Sequence, residues 1–208
     1  MEPSNILECR SIQQNFAGIQ ALRSIDLSIA TGEFHAIIGP NGAGKTTLFN
    51  IISGVQSPSS GSVLFNQQAI TALPGWRRAR LGIARSFQNL RLFGAMSLRE
   101  NILVAAQQRQ PYSLGELFLR RGKVREIEKT LAERADELLE FVGLYDRRHQ
   151  AAMNLPYGAA RRLELARALA LEPSLLLLDE PAAGLNPSET AALAEVIERL
   201  RNNQQLTV

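Results

Sequence analysis

The sequence of 208 residues has one cysteine, two histidines and no long apolar run. Since a single thiol has no partner within the chain, Cys9 excludes an intrachain disulfide and fits a reducing compartment. The longest apolar candidate, residues 175–178, falls far short of the roughly 18 residues that cross a membrane. Residues 1–5 lack the basic and apolar pattern of a secretory signal. The remaining composition, 45% hydrophobic and 21% charged residues, predicts a globular chain with one core and room for an inserted subdomain.

Positive charge slightly exceeds negative charge, with a formal net charge of +3 and a pI near 9.4. We interpret the densest basic stretch, beside Trp76, as a solvated face, or as a face near anionic lipid or a partner protein. Arginines also neutralise nucleic-acid phosphates, so a nucleic-acid patch is the alternative; we expect no nucleic-acid partner. The arginines of this stretch are Arg77, Arg78, Arg80, Arg85 and Arg91.

Residues 39–47, Gly-Pro-Asn-Gly-Ala-Gly-Lys-Thr-Thr, have the pattern of a phosphate-binding loop. The preceding residues 33–38 predict a short buried strand, and residues 46–53 predict a helix that ends at Gly54. A strand, a glycine loop and a helix in this order are what phosphate binding requires. The alternative is an ordinary glycine-rich turn between a strand and a helix.

The chemistry of this loop predicts a nucleoside triphosphate with magnesium as its ligand. Backbone N–H groups and the positive end of the helix dipole would hold the phosphates. Lys45 would reach the β- and γ-phosphates, and the Thr46 hydroxyl would bind magnesium. The predicted nucleotide-binding residues of the loop are Gly39, Asn41, Gly42, Gly44, Lys45, Thr46 and Thr47.

The rest of the chain divides into a β-rich start, a helical middle and a second α/β segment. Short runs at residues 6–9, 25–29 and 62–65 alternate in the manner of antiparallel strands. Residues 123–142 carry one apolar stripe among charges, which predicts an amphipathic helix that ends at Gly143.

The second α/β segment opens with a helix predicted at residues 160–170. The unbroken leucines 175–178 predict a strand buried on both faces, as in a parallel sheet. A further helix is predicted after Asn186, with Asn186 as N-cap, Pro187 at the first helical position and Glu189 completing a capping box.

Asp179 and Glu180 follow the leucine strand at its carboxyl end, where ligands of open α/β sheets bind. Phosphoryl transfer to water needs one group that holds magnesium and another that orients or deprotonates the water. We predict the first role for Asp179 and the second for Glu180. The alternative is that two acidic residues simply end a strand.

Together these motifs resemble the ATP-binding subunit of an ATP-binding-cassette (ABC) transporter, over nearly the whole chain. Phe16 matches the aromatic that stacks on adenine; the alternative is a core aromatic. Gln88, within Arg-Ser-Phe-Gln-Asn, matches the glutamine that contacts magnesium and water. Residues 155–159 lie where the family's signature loop is expected, and residues 183–186 match the loop that crosses to the partner subunit. The runs that most resemble the branched-chain amino-acid importer subclass are 86–88, 161–164 and 179–187.

The resemblance implies an α/β fold with a P-loop (RecA-like) core, an N-terminal antiparallel β part and an inserted helical subdomain. The core would comprise residues 1–87 and 158–208, and the helical subdomain residues 88–157. The implied activity is ATP hydrolysis with Mg²⁺. Its catalytic residues would be Glu180, Lys45 and Gln88, and its magnesium ligands Thr46, Gln88 and Asp179.

The resemblance also implies partners and a location. Two cassettes, identical or related, would bind two ATP molecules, with Tyr157 and Gly158 of each contacting nucleotide held by the other. Membrane-spanning permease subunits would dock near residues 88–93, and an extracytoplasmic solute-binding protein would be an indirect partner. The subunit would be peripheral, on the cytoplasmic face of the inner membrane.

Two features depart from the family pattern. The signature is Leu-Ser-Gly-Gly-Gln in general form, whereas positions 156 and 159 are Pro and Ala here. Losing one hydrogen bond to a charged oxygen costs about 1.5–3 kcal/mol, so we expect weakened rather than abolished closure. The family's γ-phosphate histidine is absent, and we expect His35 and His149 to be structural or solvated. We therefore hypothesise a C-terminally truncated fragment of a longer subunit.

Three alternatives remain at the level of function. The two departures leave open a nucleotide-binding module with little or no hydrolysis. A cassette ATPase of translation or DNA repair usually has tandem cassettes or long coiled-coil insertions, which this sequence lacks. A GTPase or small-molecule kinase is the third, although the guanine-reading Asn-Lys-x-Asp motif is absent.

Overall fold

The computed structural model describes residues 4–86, 92–109, 121–202 and 206–208, apart from the side chains of residues 109 and 121–124. The chain forms two compact units. The first comprises Met1–Arg85, Pro173–Asp179 and Leu200–Val208, and the second comprises Ser86–Glu172 and Glu180–Arg199. The helical-subdomain bounds 88–157 stay a prediction.

The first unit contains a four-stranded antiparallel sheet of order β2–β1–β3–β4. A tight two-residue turn joins β1 and β2, and both turn residues, Ala17 and Gly18, have positive φ angles of 41° and 90°. The antiparallel strands predicted at residues 6–9, 25–29 and 62–65 are confirmed. The strands are β1 (Asn5–Phe16), β2 (Ile19–Ala30), β3 (Ser60–Phe65) and β4 (Gln68–Ala69).

A parallel pair of strands, β5 (Ile83–Arg85) and β6 (Leu175–Leu177), lies in the same unit. All three leucines of β6 are buried, which confirms the predicted core strand. Residues 206–208 extend this arrangement, because the Leu176 amide donates to the Thr207 carbonyl at 2.8 Å.

Residues 33–38 do not form the predicted buried strand. The start of the segment is tied to the last residue: the His35 amide donates to the Val208 carbonyl at 2.8 Å, and the Val208 amide donates to Glu33 at 3.0 Å. Beyond these two bonds, no strand of the described residues pairs with residues 36–38, and Ile38 is 93% exposed. The prediction was wrong because an apolar run becomes a buried strand only where neighbouring strands cover it.

Helix α1 (Lys45–Ser53) packs against both sets of strands through Leu48, Ile51 and Ile52, which belong to the core of the first unit. It ends at Gly54, whose left-handed conformation (φ 75°) lets the last carbonyls be satisfied. The helix and its glycine stop are therefore as predicted. A short helix, α2 (Gly75–Leu81), follows β4.

The second unit is built from helices α3 (Leu98–Ala106), α4 (Arg121–Phe141) and α5 (Tyr157–Leu169), with most of α6 (Pro187–Arg201). The predicted amphipathic helix is α4, and Gly143 follows it with φ 68°. Buried Asn101 accepts from the Phe93 amide at 2.9 Å and donates to the Ser97 carbonyl at 2.9 Å. Among the described helices, none has both the length and the apolar character that crossing a membrane requires.

Candidate functional site

The predicted phosphate loop is a turn that leads directly into α1. Gly42 and Gly44 have positive φ angles of 82° and 86°. A Cβ atom on Gly44 would lie 2.7 Å from the Ala21 carbonyl oxygen and 2.7 Å from a methyl carbon of Leu22. Gly44 is therefore required both by its backbone conformation and by the lack of space.

Lys45 folds back over the loop. Its Nζ donates to the carbonyl oxygens of Gly39 at 2.7 Å and Pro40 at 2.9 Å. These two hydrogen bonds link the Lys45 ammonium to the start of the loop. The same ammonium can exchange these carbonyls for phosphate oxygens, which are stronger acceptors.

The N-terminus of α1 offers an uncompensated positive end. No side chain caps the helix at Gly44, and its first turn holds no acidic residue. The first N–H groups of a helix lack partners within it, and the dipole favours an anion there. Thr46 and Thr47, both half-buried, lie in this first turn, and Asn41 is exposed in the loop before it. The loop therefore suits a phosphate group chemically.

Phe16 lies at the end of β1, beside the turn of the hairpin, and is 45% exposed. It pairs across the hairpin with Ile19, which is also exposed. An aromatic ring on a strand tip can offer a face to a planar ligand, whereas a core aromatic would be buried. The side chain is not part of the described core.

Asp179 is buried and forms an ion pair with Arg85, with Nη2 and Oδ2 3.0 Å apart. Arg85 also donates to Asn50 Oδ1 at 2.6 Å and to Ser53 Oγ at 3.1 Å, both on α1. The end of β6 is thus tied through Arg85 to the helix that follows the phosphate loop. Sequence reasoning missed Arg85 as part of this site.

The prediction that the arginines near Trp76 form one solvated face is wrong for two of them. Arg78 is 1% exposed and is hydrogen-bonded to backbone carbonyls, and Arg85 is the partner of Asp179. No local sequence pattern identifies Arg85 as this partner; its parallel pairing with Leu177, two residues before Asp179, brings it to the site. Arg91 lies outside the described residues.

Glu180 is exposed and has φ 46°, in the left-handed region that non-glycine residues rarely adopt. Its carbonyl accepts from the Ala183 amide at 3.0 Å, so a tight turn holds this conformation. Backbone strain of this kind is concentrated at functional sites. Gln88, the remaining predicted catalytic residue, lies outside the described residues.

In the second unit, α5 begins at Tyr157, three residues earlier than predicted, with Pro156 as an N-cap that offers no side-chain bond. The Gly158 amide donates to Glu189 Oε1 at 3.2 Å. A Cβ atom on Gly158 would lie 2.6 Å from that oxygen, so any other residue would require the Glu189 side chain to move. The Tyr157 hydroxyl accepts from Arg161 at 2.7 Å and donates to the Ala183 carbonyl at 3.4 Å.

Glu189 also completes the predicted capping box of α6. Its Oε2 accepts from the Asn186 amide at 3.1 Å, and its own amide donates to Asn186 Oδ1 at 2.9 Å. The Glu189 carboxylate therefore caps α6 through Oε2 and accepts a hydrogen bond from the start of α5 through Oε1. The N-terminus of α5 is an anion-binding end that holds a carboxylate of the same unit.

The two histidines lie in ordinary surroundings. His35 Nδ1 is 2.8 Å from Glu33 Oε1, and this hydrogen bond lowers the pKa of Glu33. His149 is exposed.

The sequence matches a known family over most of its length. The family model for "ABC transporter" matches residues 22–183. The chain belongs to the ABC transporter family. The matched range includes the phosphate loop, Asp179, Glu180 and the start of α5.

Individual relatives support the same assignment. The chain is 41% identical over 203 residues to the "High-affinity branched-chain amino acid transport ATP-binding protein LivG" of Escherichia coli strain K12, covering 98% of this chain and 80% of the relative. It is 39% identical to the corresponding protein BraF of Pseudomonas aeruginosa, over the same 98% and 80%. Its fold is similar to the crystal structure of the ADP conformation of MJ1267, an ATP-binding cassette of an ABC transporter, with a TM-score of 0.82, 30% identity and coverage of 98% and 79%. The predicted ABC ATPase fold is confirmed.

The residues present fit a magnesium nucleotide. Thr46 and Asp179 offer hydroxyl and carboxylate oxygens, the donors that magnesium prefers. Within the described part of the chain, no three His, Cys, Asp or Glu side chains converge as a metal cluster.

Proposed function

We propose that this chain is the ATP-binding and ATP-hydrolysing subunit of an importer that takes up branched-chain amino acids. Family membership supports the transporter role, and the 41% identity to LivG over 98% of the chain supports the substrate class. The observation that carries ATP binding is the uncapped, acid-free N-terminus of α1 behind the glycine loop.

The phosphates bind at the loop amides and the start of α1. Lys45 leaves the Gly39 and Pro40 carbonyls and contacts the β- and γ-phosphates. Phe16 stacks on the adenine, which its exposure at the hairpin tip permits. The loop residues that contact the nucleotide are Gly39, Asn41, Gly42, Gly44, Lys45, Thr46 and Thr47.

Magnesium, when bound, neutralises the charge that develops on the phosphate oxygens. Thr46, Asp179 and Gln88 are its proposed protein ligands, and the ion pair with Arg85 holds the Asp179 carboxylate in place. Glu180 orients and deprotonates the attacking water. Glu180 is exposed, so its carboxylate is accessible to water.

A second cassette supplies the remaining contacts. Tyr157 and Gly158 contact the γ-phosphate bound by the partner, at the amide end of α5. Since the Gly158 amide is hydrogen-bonded to Glu189, nucleotide binding there requires a phosphate oxygen to replace that carboxylate oxygen. Pro156 contributes no donor, so closure depends on few hydrogen bonds.

The membrane-spanning permease subunits dock on the second unit, near residues 88–93. Phe93 and Met96 are exposed, and Met153, whose amide donates to Gly94 at 3.0 Å, adds a third exposed apolar side chain. The subunit is peripheral, on the cytoplasmic face of the inner membrane. A solute-binding protein on the other side delivers the amino acid.

Isothermal calorimetry and ATPase assays test the enzymatic role through Lys45 and Glu180. Lys45→Ala removes charge-assisted hydrogen bonds and should weaken ATP binding about ten- to a hundredfold. Glu180→Gln should keep ATP binding and lose about 10²–10⁴-fold in hydrolysis, since a general base is removed. Lys129→Ala is the control, because Lys129 is an exposed lysine on α4. Equal hydrolysis by wild type and Glu180→Gln would mean that the chain binds nucleotide without catalysing its hydrolysis.

Reconstitution tests the transport role. We expect ATP-dependent uptake of leucine into vesicles that contain the permease subunits, with the solute-binding protein added. The Glu180→Gln cassette should abolish uptake. Uptake of an unrelated sugar in place of leucine would contradict the proposed substrate class.

A further inference from the structure

The outward face of α2 combines an exposed indole with two exposed guanidinium groups. Trp76 is 57% exposed and Leu81 is 39% exposed, and Arg77 and Arg80 are exposed as well. Positions 76, 77, 80 and 81 lie on one side of a helix, because residues four apart are neighbours on its surface.

Both arginines stack on the same ring. The guanidinium carbon of Arg77 lies 5.1 Å from the centre of the Trp76 ring, and that of Arg80 lies 5.2 Å from it. Neither arginine forms an ion pair with a carboxylate of the described residues. Their positive charges are therefore directed to solvent.

Arg78 fixes this face in position. Its side chain is buried. It donates to two carbonyls of α1, those of Ile51 at 2.5 Å and Ile52 at 2.9 Å, and to the Thr71 carbonyl at 2.9 Å. Because Arg78 points inward and holds α2 against the C-terminal end of α1, the opposite side of α2 is presented outward on a rigid base.

The sequence around the face contains no negative charge. Residues 34–99 include no aspartate and no glutamate. Another exposed aromatic–arginine pair differs in this respect: Arg148 lies 4.2 Å from the centre of the Tyr145 ring, and Asp146 lies between them in sequence. The α2 face is thus better suited to an extended anionic surface than the Tyr145–Arg148 pair is.

We propose that Trp76, Arg77, Arg80 and Leu81, the Trp76 patch, bind the surface of an anionic lipid bilayer. The indole lies at the level of the lipid headgroups, where tryptophan is favoured by its apolar ring and polar N–H. The two guanidinium groups bind lipid phosphates, and Leu81 adds apolar contact. A juxtamembrane arginine gains attraction from an anionic leaflet.

A bilayer suits the patch better than a protein partner does. The patch consists of four side chains on a helix of two turns, whereas a stable protein interface buries about 800 Å² on each partner. A bilayer surface needs no shape complementarity, and a small basic and aromatic patch provides weak, reversible contact. The contact is separate from nucleotide binding and does not depend on the proposed transport function.

The test uses the intrinsic fluorescence of the chain, because Trp76 is its single tryptophan. Purified protein is titrated with phosphatidylcholine vesicles and with vesicles that also contain phosphatidylglycerol. We expect a blue shift of the emission and protection from iodide quenching with anionic vesicles only. Raising the salt should reverse both effects, since screening weakens contacts between exposed charges.

A charge-matched pair of variants locates the contact. Arg77→Gln with Arg80→Gln should weaken binding to anionic vesicles about 25-fold, measured by cosedimentation at low salt. Arg147→Gln with Arg148→Gln removes the same charge beside another exposed aromatic and should change binding little. Trp76→Ala should also weaken cosedimentation. Circular dichroism and ATP calorimetry confirm that each variant remains folded and binds nucleotide as wild type does.

Three outcomes would overturn the proposal, and a fourth separates it from the proposed function. If the Trp76 emission does not shift with anionic vesicles, the indole does not contact lipid. Equal losses for the two double variants show an effect of overall charge instead of a local patch. A shift seen only when permease subunits are present in the vesicles assigns the patch to a protein partner. If the wild-type chain binds anionic vesicles but does not bind ATP, the proposed function is contradicted and the lipid contact stands.

Discussion

Three glycines of the phosphate loop are under different structural constraints. At Gly44 a side chain would meet both a left-handed backbone (φ 86°) and the Ala21 carbonyl oxygen at 2.7 Å. At Gly42 the backbone is left-handed (φ 82°) and no atom lies within 4 Å. At Gly39 the nearest atom to an added Cβ is that of Ala43, at 3.4 Å, and φ is not in the left-handed region.

Alanine substitutions should therefore follow a definite order of destabilisation. We expect Gly39→Ala to be nearly neutral and Gly42→Ala to cost about 1 kcal/mol of unfolding free energy, since only backbone strain is added. Gly44→Ala should cost about 2–3 kcal/mol or more, because the new methyl group also displaces backbone. Urea unfolding measures these differences. A Gly44→Ala protein as stable as Gly42→Ala would contradict the described packing of the loop on β2.

The arginines near Trp76 show which residue properties the sequence leaves undetermined. Arg77 and Arg78 are consecutive, yet one is exposed on an aromatic ring and the other is buried on backbone carbonyls. Burial lowers the pKa of Arg78, and its hydrogen bonds offset the cost of removing the charge from water. Two of those carbonyls, of Ile51 and Ile52, belong to the end of α1, which is far away in sequence, so a local pattern contains no information about them.

At the scale of elements, Glu189 joins the starts of two helices. It completes the capping box of α6 with Asn186, and it accepts the Gly158 amide of α5. A carboxylate is stabilised by the positive ends of both helix dipoles. This link lets one side chain satisfy N–H groups at two helix starts.

Glu189→Ala should therefore destabilise the protein more than the loss of an ordinary surface carboxylate. We expect a loss of about 1–3 kcal/mol, from a missing cap together with an unsatisfied amide. Glu195→Ala is the matched control, because Glu195 is exposed on the same helix. Thermal and urea unfolding give the comparison. Equal stability of the two variants would show that water replaces the carboxylate without cost.

Elements were predictable where their signals are local. The capping box at Asn186, the glycine stop at Gly54 and the leucine strand are all specified within a few residues, and each is present. Residues 36–38 are also apolar, but a strand there depends on neighbours from elsewhere in the chain. The early start of α5 was missed because Pro156 offers no capping side chain, and the helix start is instead supported by Glu189, far along the sequence.

At the scale of the whole molecule, a ligand that binds only the folded chain raises its stability by mass action. The proposed function makes magnesium–ATP such a ligand, since the loop amides, Lys45 and Asp179 are in place only when the first unit is folded. ATP at 100 times its dissociation constant adds about 2.7 kcal/mol, which for a chain of this size raises Tm by about 5–10 °C. EDTA should reduce this increase, because magnesium then no longer neutralises the phosphates.

Differential scanning fluorimetry of wild type and two lysine variants measures this coupling. Lys45→Ala should show little increase in Tm with magnesium–ATP, since the ammonium that contacts the phosphates is gone. Lys129→Ala should show the full increase, because its ammonium is 3.7 Å from Glu133 on the exposed side of α4. Comparable increases in all three proteins would mean that the nucleotide stabilises the chain from a site other than the glycine loop. The assignment of ATP binding to residues 39–47 would then be wrong, whatever the family of the chain.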